Sequence, residues 1–393
     1  MTEQTDPVKI LIVDDSVVMR TLLRSVVMTD ARLEVVGTAI HGEAALRSME
    51  NLKPDLILLD VEMPVMDGLS TLRAMRERGL RVPVIMCSTL TQRGAQVTIE
   101  ALAAGAVDYV AKPSGQSSRD ASIASLAHDL VPKILALTRR SLLQAAPQSP
   151  VTRTFSHAIL VEQTKSRRTI PDHESILDSI APQVPRVVAI GVSTGGPAAL
   201  DVVLPALPQD FPLPVLVVQH MPELFTRLLA ERLDGRCALR VSEAQEGMAV
   251  ESGHIYVAKG NWHMEVHGEN RQGRASLRLT QAEPENHCRP AADVLFRSAV
   301  TAYGGAVLGV VMTGMGADGL AGCRHIRAQG GCVFAQDQTT SAVWGMPGAV
   351  VQAGLAHKVL PLNALAKEIV DSVRLAANKA GGDSAMNLQQ RAV

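Results

Sequence analysis

The 393 residues are too many for one typical core, and at roughly 100 to 200 residues per domain they suggest two or three, with two the starting count. Hydrophobic residues make up 47% and charged residues 20%, enough apolar surface to confine extended disorder to linkers and ends. The 38 basic and 39 acidic residues leave a formal net charge of -1, which excludes a general attraction to nucleic-acid backbones or anionic lipid. From Val8 to about Arg140 apolar runs alternate with helical periods: KILIV, LEVVG, DLILL, VPVIM and DYVA. This alternation predicts a doubly wound parallel sheet. From Ser141 to Pro185 the periodicity dissolves into prolines, serines and charges, as expected of a flexible linker. A second series from Arg186, with strands RVVAI, LPVLVVQ, HIYVA, SLRLT, AVLGVVM and GGCVFAQ, predicts a second α/β domain over 186–378. The small and polar residues of 379–393 cannot bury a face and are expected to be disordered.

No apolar run approaches the roughly 18 residues of a membrane span, and the start MTEQTDPVK is polar where a signal peptide is basic and then apolar. A cytoplasmic chain without membrane insertion is expected. The five cysteines (Cys87, Cys237, Cys288, Cys323 and Cys332) are scattered and never form CxxC, so they read as buried free thiols.

In the first domain KILIV runs into Asp14 and Asp15, and DLILL runs into Asp60. Carboxyl ends of parallel strands border the crevice where ligands bind. Clustered carboxylates repel unless a cation sits among them, and oxygen ligands of this kind suit Mg2+. Ser88 and Lys112 end two further strands and supply the hydroxyl and ammonium that a phosphoryl group on Asp60 would need. IVDDS, LLDVEMPVMDG, the Ser88 strand end and DYVAKP together resemble the receiver domain of bacterial response regulators, expected over 1–140 with a flavodoxin-like fold. The resemblance implies Asp60 as phospho-acceptor, Asp15 as a direct Mg2+ ligand, Asp14 as the acid behind it, Ser88 and Lys112 as phosphoryl contacts, and Tyr109 as a rotating aromatic switch.

In the second domain Gly191-Val192-Ser193-Thr194-Gly195-Gly196 joins a strand to a helix that opens at Pro197. A serine on such a turn projects its hydroxyl, and the N–H groups of the following helix turn, Thr194 first, suit an oxyanion. Spacing alone equally fits a phosphate-cradling turn. His220 and Asp318, at the ends of two later strands, favour acyl transfer, since a base and its orienting acid then share a sheet edge with the serine. His263-Met264-Glu265-Val266-His267 misplaces the glutamate of HExxH, and Glu285-Asn286-His287-Cys288 reads as a polar loop, so no metal is expected in the hydrolase site.

IGVSTGGPAAL, VVQHMP, IYVAKGNWHM, HCRPAADVLFRS, VVMTGMGADGLAG and AQDQTTSAVWGMPGAV resemble, in that order, the catalytic domain of the chemotaxis protein-glutamate methylesterases, the CheB family, with a Rossmann-like fold. The resemblance implies Ser193 as nucleophile, His220 as base, Asp318 as its orienter and the Met315 backbone as a second oxyanion donor. It also implies hydrolysis of glutamyl methyl esters, with deamidation of glutamines, on the cytoplasmic helices of methyl-accepting chemoreceptors. A chemotaxis histidine kinase would supply the phosphoryl group, and the receiver of a monomeric chain would gate the cleft. A receiver-linked transcription factor would need a basic recognition helix, which the second half lacks. A purely regulatory binding module has no use for the serine, histidine and aspartate together. An oxidoreductase would need GxGxxG and an acid about 20 residues on, which GVSTGG does not supply.

Overall fold

The computed structural model describes residues 6–89, 91–113, 118–145, 183–268 and 275–374. Most of the expected linker and all of the expected tail lie outside them. Among the described residues two parallel sheets organise the chain, and a separate antiparallel pair lies within its second half.

The first sheet has the order β2-β1-β3-β4-β5, with all neighbours parallel. Its strands are β1 (Val8–Val13), β2 (Leu33–Ala39), β3 (Leu56–Asp60), β4 (Val84–Ser88) and β5 (Asp108–Ala111). Every residue of β3 and β4 is buried, as continuous Val, Ile and Leu runs require when helices cover both faces. The helices are α1 (Val17–Val27), α2 (Gly42–Leu52), α3 (Gly68–Glu77), α4 (Gln92–Ala104) and α5 (Arg119–Ala145). Side chains cap the amino ends of all five, for Ser16, His41, Asp67, Thr91 and Ser118 accept from the N–H groups of Met19, Ala44, Ser70, Gly94 and Ala121.

The second sheet runs β14-β13-β12-β6-β7-β9-β8, again parallel throughout. It comprises β6 (Val187–Val192), β7 (Val215–Gln219), β8 (Arg240–Glu243), β9 (His254–Val257), β12 (Val307–Val311), β13 (Cys332–Gln336) and β14 (Lys358–Leu360). Its helices are α6 (Gly196–Val203), α7 (Glu223–Asp234), α8 (Ala292–Tyr303), α9 (Leu320–Ala328) and α10 (Met346–Gln352), with a further helix over 362–374. SLRLT does not join this sheet: as β11 (Ser276–Thr280) it pairs antiparallel with β10 (His263–His267). The alternating burial of β11, unlike the continuous burial of β7, fits a hairpin with one wet face.

Strand order reverses between β6 and its neighbours β7 and β12, which makes this the switch point where an open sheet forms its crevice. The two sheets meet there. Helix α4 packs on α6 and α7, the Tyr109 ring stacks on Phe225 at 4.4 Å, and Val107 O accepts from the Gly195 N–H at 3.1 Å.

Candidate functional site

Asp14 and Asp60 emerge from the adjacent strands β1 and β3, and Asp15 follows at the exposed rim. Ligand oxygens from all three lie within 4.8 Å of one another. The Lys112 ammonium, just beyond β5, meets Asp14 Oδ2 at 2.8 Å and Asp60 Oδ1 at 2.7 Å. Burial, reinforced by the Asp14 charge against the pull of Lys112, raises the Asp60 carboxyl above the usual carboxylate range. A carboxylate set with one open side fits Mg2+, which keeps several waters beside a few acid oxygens. Ser88 is fully buried and its hydroxyl donates to Gly94 O and Thr89 O. It is therefore turned toward the backbone of Thr89 and of the first turn of α4. Tyr109, 8% exposed, lies against Phe225 on the second sheet.

Ser193 directly follows β6, where Gly195 takes φ of 77° and opens α6. A Cβ on Gly196 would sit 1.9 Å from Gln219 Oε1, so the turn admits glycine there for lack of space and at Gly195 for its dihedral. Thr313 holds the turn from β12: its O accepts from the Ser193 N–H at 2.9 Å, and its hydroxyl donates to Thr194 O at 2.8 Å. Among the described residues the Thr194 and Met315 N–H groups have no hydrogen-bond acceptor. Both residues line a cavity of about 790 Å³ together with Ser193 and His220.

His220 follows β7, and its Nε2 lies 2.7 Å from Asp318 Oδ2. Asp318, 2% exposed, also accepts from the N–H groups of Ala292, Asp293 and Gly319 and from the Asn286 amide. Ala292 and Asp293 open α8, so the carboxylate sits on the positive end of a helix. Burial opposes its charge, but these donors and His220 hold Asp318 below the usual carboxylate range. Burial likewise disfavours the imidazolium of His220; the hydrogen bonds of Asp318 and Cys288 outweigh it and raise the histidine to about 9. Cys288 Sγ is 3.5 Å from His220 Nδ1. No hydrogen bond joins Ser193 to His220 among the described residues, although both line the cavity. The imidazole edge left over from Asp318 thus rests on a thiol.

Three participants escaped the sequence reading. Asn286 and Cys288 sit in the segment read as a polar loop, yet they touch Asp318 and His220. Asp108 accepts the Thr194 hydroxyl at 2.7 Å through Oδ2, while its Oδ1 accepts from Lys133 Nζ at 3.0 Å and the Tyr109 N–H at 2.7 Å. The first sheet thus grips the two residues that follow Ser193. Asp108 and Tyr109 of β5 and His128 and Lys133 of α5 complete the cavity wall.

Residues 188–369 match the CheB methylesterase family model, and residues 10–123 match the response regulator receiver domain. A protein-glutamate methylesterase/protein-glutamine glutaminase of Trichodesmium erythraeum is 45% identical over 92% of this chain and 98% of its own length. One so named from a Nocardioides species is 47% identical over 92% and 94%. The crystal structure of the Thermotoga maritima CheB methylesterase catalytic domain is 40% identical, covers 48% of this chain and 98% of that one, and superposes with a TM-score of 0.46. Matched across nearly the whole length of such relatives, the chain belongs to the protein-glutamate methylesterase/protein-glutamine glutaminase family, with a receiver domain ahead of its hydrolase domain.

Proposed function

We propose that the chain hydrolyses glutamyl γ-methyl esters, and deamidates glutamines, on the cytoplasmic helices of chemoreceptors. The 2.7 Å contact between a buried carboxylate and a histidine at the crevice of Ser193 carries the reading. In this reaction His220 takes the Ser193 proton at Nδ1, and Ser193 Oγ attacks the ester carbonyl. The N–H groups of Thr194 and Met315 receive the developing oxyanion, and on its collapse His220 returns the proton to the leaving group, which departs as methanol from the ester or ammonia from a glutamine. Water then resolves the acyl-serine to glutamate. Asp318 remains ionised and fixes the imidazole through Nε2. Moving the ring from Cys288 to Ser193 assembles the base.

Residues 1–140 act as the receiver, 141–185 as the tether, 186–378 as the hydrolase and 379–393 as a tail. Asp60 takes a phosphoryl group from a chemotaxis histidine kinase. Asp15 and Asp60, with Asp14 behind them, would hold Mg2+, which when bound would supply charge neutralisation for that transfer. Lys112 and Ser88 are the groups that would contact the phosphoryl oxygens. In the docked arrangement receiver side chains wall the cavity, so an unphosphorylated receiver restrains a substrate helix from Ser193. Among the described residues no helix is long and apolar enough to cross a membrane, which is compatible with action on receptors from the cytoplasm.

The test is methanol release from methyl-labelled receptor membranes. Ser193→Ala should lower it by about 10^4 or more, because losing a triad member removes most of the rate. It should leave phosphorylation of Asp60 intact and abolish labelling by a serine-reactive phosphonate. Turnover that survives the substitution overturns covalent catalysis by this residue.

A further inference from the structure

The acid and the base of the proposed triad come from the ends of different strands, yet one loop between β11 and α8 touches both. Asn286 stands in it with φ of 53°, a left-handed conformation that asparagine tolerates better than most side chains. Its amide Nδ2 donates to Asp318 Oδ1 at 3.0 Å and to Asp293 Oδ2 at 2.9 Å. Asp293 and Asp318 are each 2% exposed, so two carboxylates share one desolvated space with a single side-chain amide between them. Burial raises Asp293 above the usual carboxylate range, against the Gly322 N–H that donates to it and with the Asp318 charge adding to the rise.

The loop is held from outside the triad. Arg297 forks onto Glu285 at 2.7 and 2.5 Å. Arg289 donates to Asn261 Oδ1, Gln281 O and Ala282 O. Asn286 is therefore placed by the loop rather than by the acid it serves. Besides His220 and Asp293, the charged or titratable groups around Asp318 are the Glu285–Arg297 pair, Cys288 beside His220, and the buried Cys323.

We propose that Asn286 is a positioning residue for the hydrolysis, its amide holding the Asp318 carboxylate with Oδ2 on His220 and keeping Asp293 from pairing with it. The inference rests on the reading of Ser193, His220 and Asp318 as a triad. Without the amide two buried carboxylates face each other and share a proton. An acid engaged in that pair supports the imidazolium less.

The test uses the full chain as Asn286→Gly, which removes the amide but suits a positive φ, as Asp293→Asn, and as the double variant. Two readouts are followed: steady-state ester hydrolysis, and the rate of Ser193 labelling by a phosphonate. Asn286→Gly is expected to lower kcat about tenfold with KM changed less than about twofold, and to slow labelling in proportion. Adding Asp293→Asn should restore most of that loss, a non-additivity that lost packing would not produce. An unchanged kcat, a change in KM alone, or losses that simply add would each overturn the role. Absence of Ser193 labelling in the unsubstituted protein would instead overturn the triad; labelling that is normal there and in Asn286→Gly would overturn only the positioning.

Discussion

Asp108→Ala tests whether the docked receiver restrains the hydrolase, as proposed. The substitution removes the acceptor of the Thr194 hydroxyl, a bond of 2.7 Å between groups that are 7% and 5% exposed. Lys133 keeps a partner in Tyr109 O at 2.7 Å, so no ammonium is stranded. A hydrogen bond to a charged group contributes about 1.5 to 3 kcal/mol, and about 2 kcal/mol is about thirtyfold in the docking equilibrium. Where the released form is scarce, unphosphorylated activity should rise by up to that factor. The ceiling is the rate of the unsubstituted protein treated with Mg2+ and a small phosphodonor. The assay is initial methanol release from methyl-labelled receptor membranes, with and without phosphodonor, for both proteins. The expected pattern is a high basal rate and a small residual stimulation in the variant. If its basal rate equals that of the unsubstituted protein and the full stimulation persists, the grip on Thr194 does not restrain the enzyme.

A histidine raised to about 9 is protonated at neutral pH, and only the neutral form accepts the serine proton. Ester hydrolysis by the unphosphorylated chain should therefore climb with pH from about 6 to about 9, and a flat profile there would count against His220 as base. The same rise stabilises the fold below the ordinary histidine range and is lost as pH climbs through about 9, so thermal midpoints recorded from neutral to alkaline pH should fall. Chelation with EDTA should abolish stimulation by a phosphodonor while leaving the basal hydrolysis rate unchanged; a basal rate that drops instead would place a metal in the hydrolase site.

The parallel sheets were legible because parallel strands buried on both faces are written as unbroken Val, Ile and Leu runs, and VLVVQ and LILLD are such runs. SLRLT carried the opposite sign, an alternation, and its place in a hairpin follows from that pattern. Charged and nucleophilic residues at strand ends were equally visible, because topology sends those ends to one crevice. Asn286 and Cys288 were not. They reach Asp318 and His220 only through a loop whose path is set by the Glu285–Arg297 and Arg289–Asn261 contacts, pairings that no local period announces. Asp108 was hidden for a different reason: it begins a strand that was read for its apolar run, while its partner Thr194 lies 86 residues further along the chain.

The same strand connects the two chemistries. Lys112 lies just past the carboxyl end of β5, against Asp14 and Asp60, whereas Asp108 and Tyr109 stand at its amino end, against Thr194 and Phe225. β5 has only four residues, so a shift of Lys112 toward a phosphoryl group on Asp60 is delivered to the docking contacts within roughly 13 Å of extended backbone. At their far end those contacts hold the turn that presents Ser193, and the imidazole in the same cavity is engaged with Cys288 instead of the serine. On the proposed reading, restraint thus acts at two points, since the docked receiver narrows access to the crevice while the base stands apart from its nucleophile. Release of β5 contacts alone would open the first. The second requires the His220 ring to turn from Cys288 toward Ser193, a step that falls on the hydrolase side of the interface and must precede acylation even once the receiver has moved away.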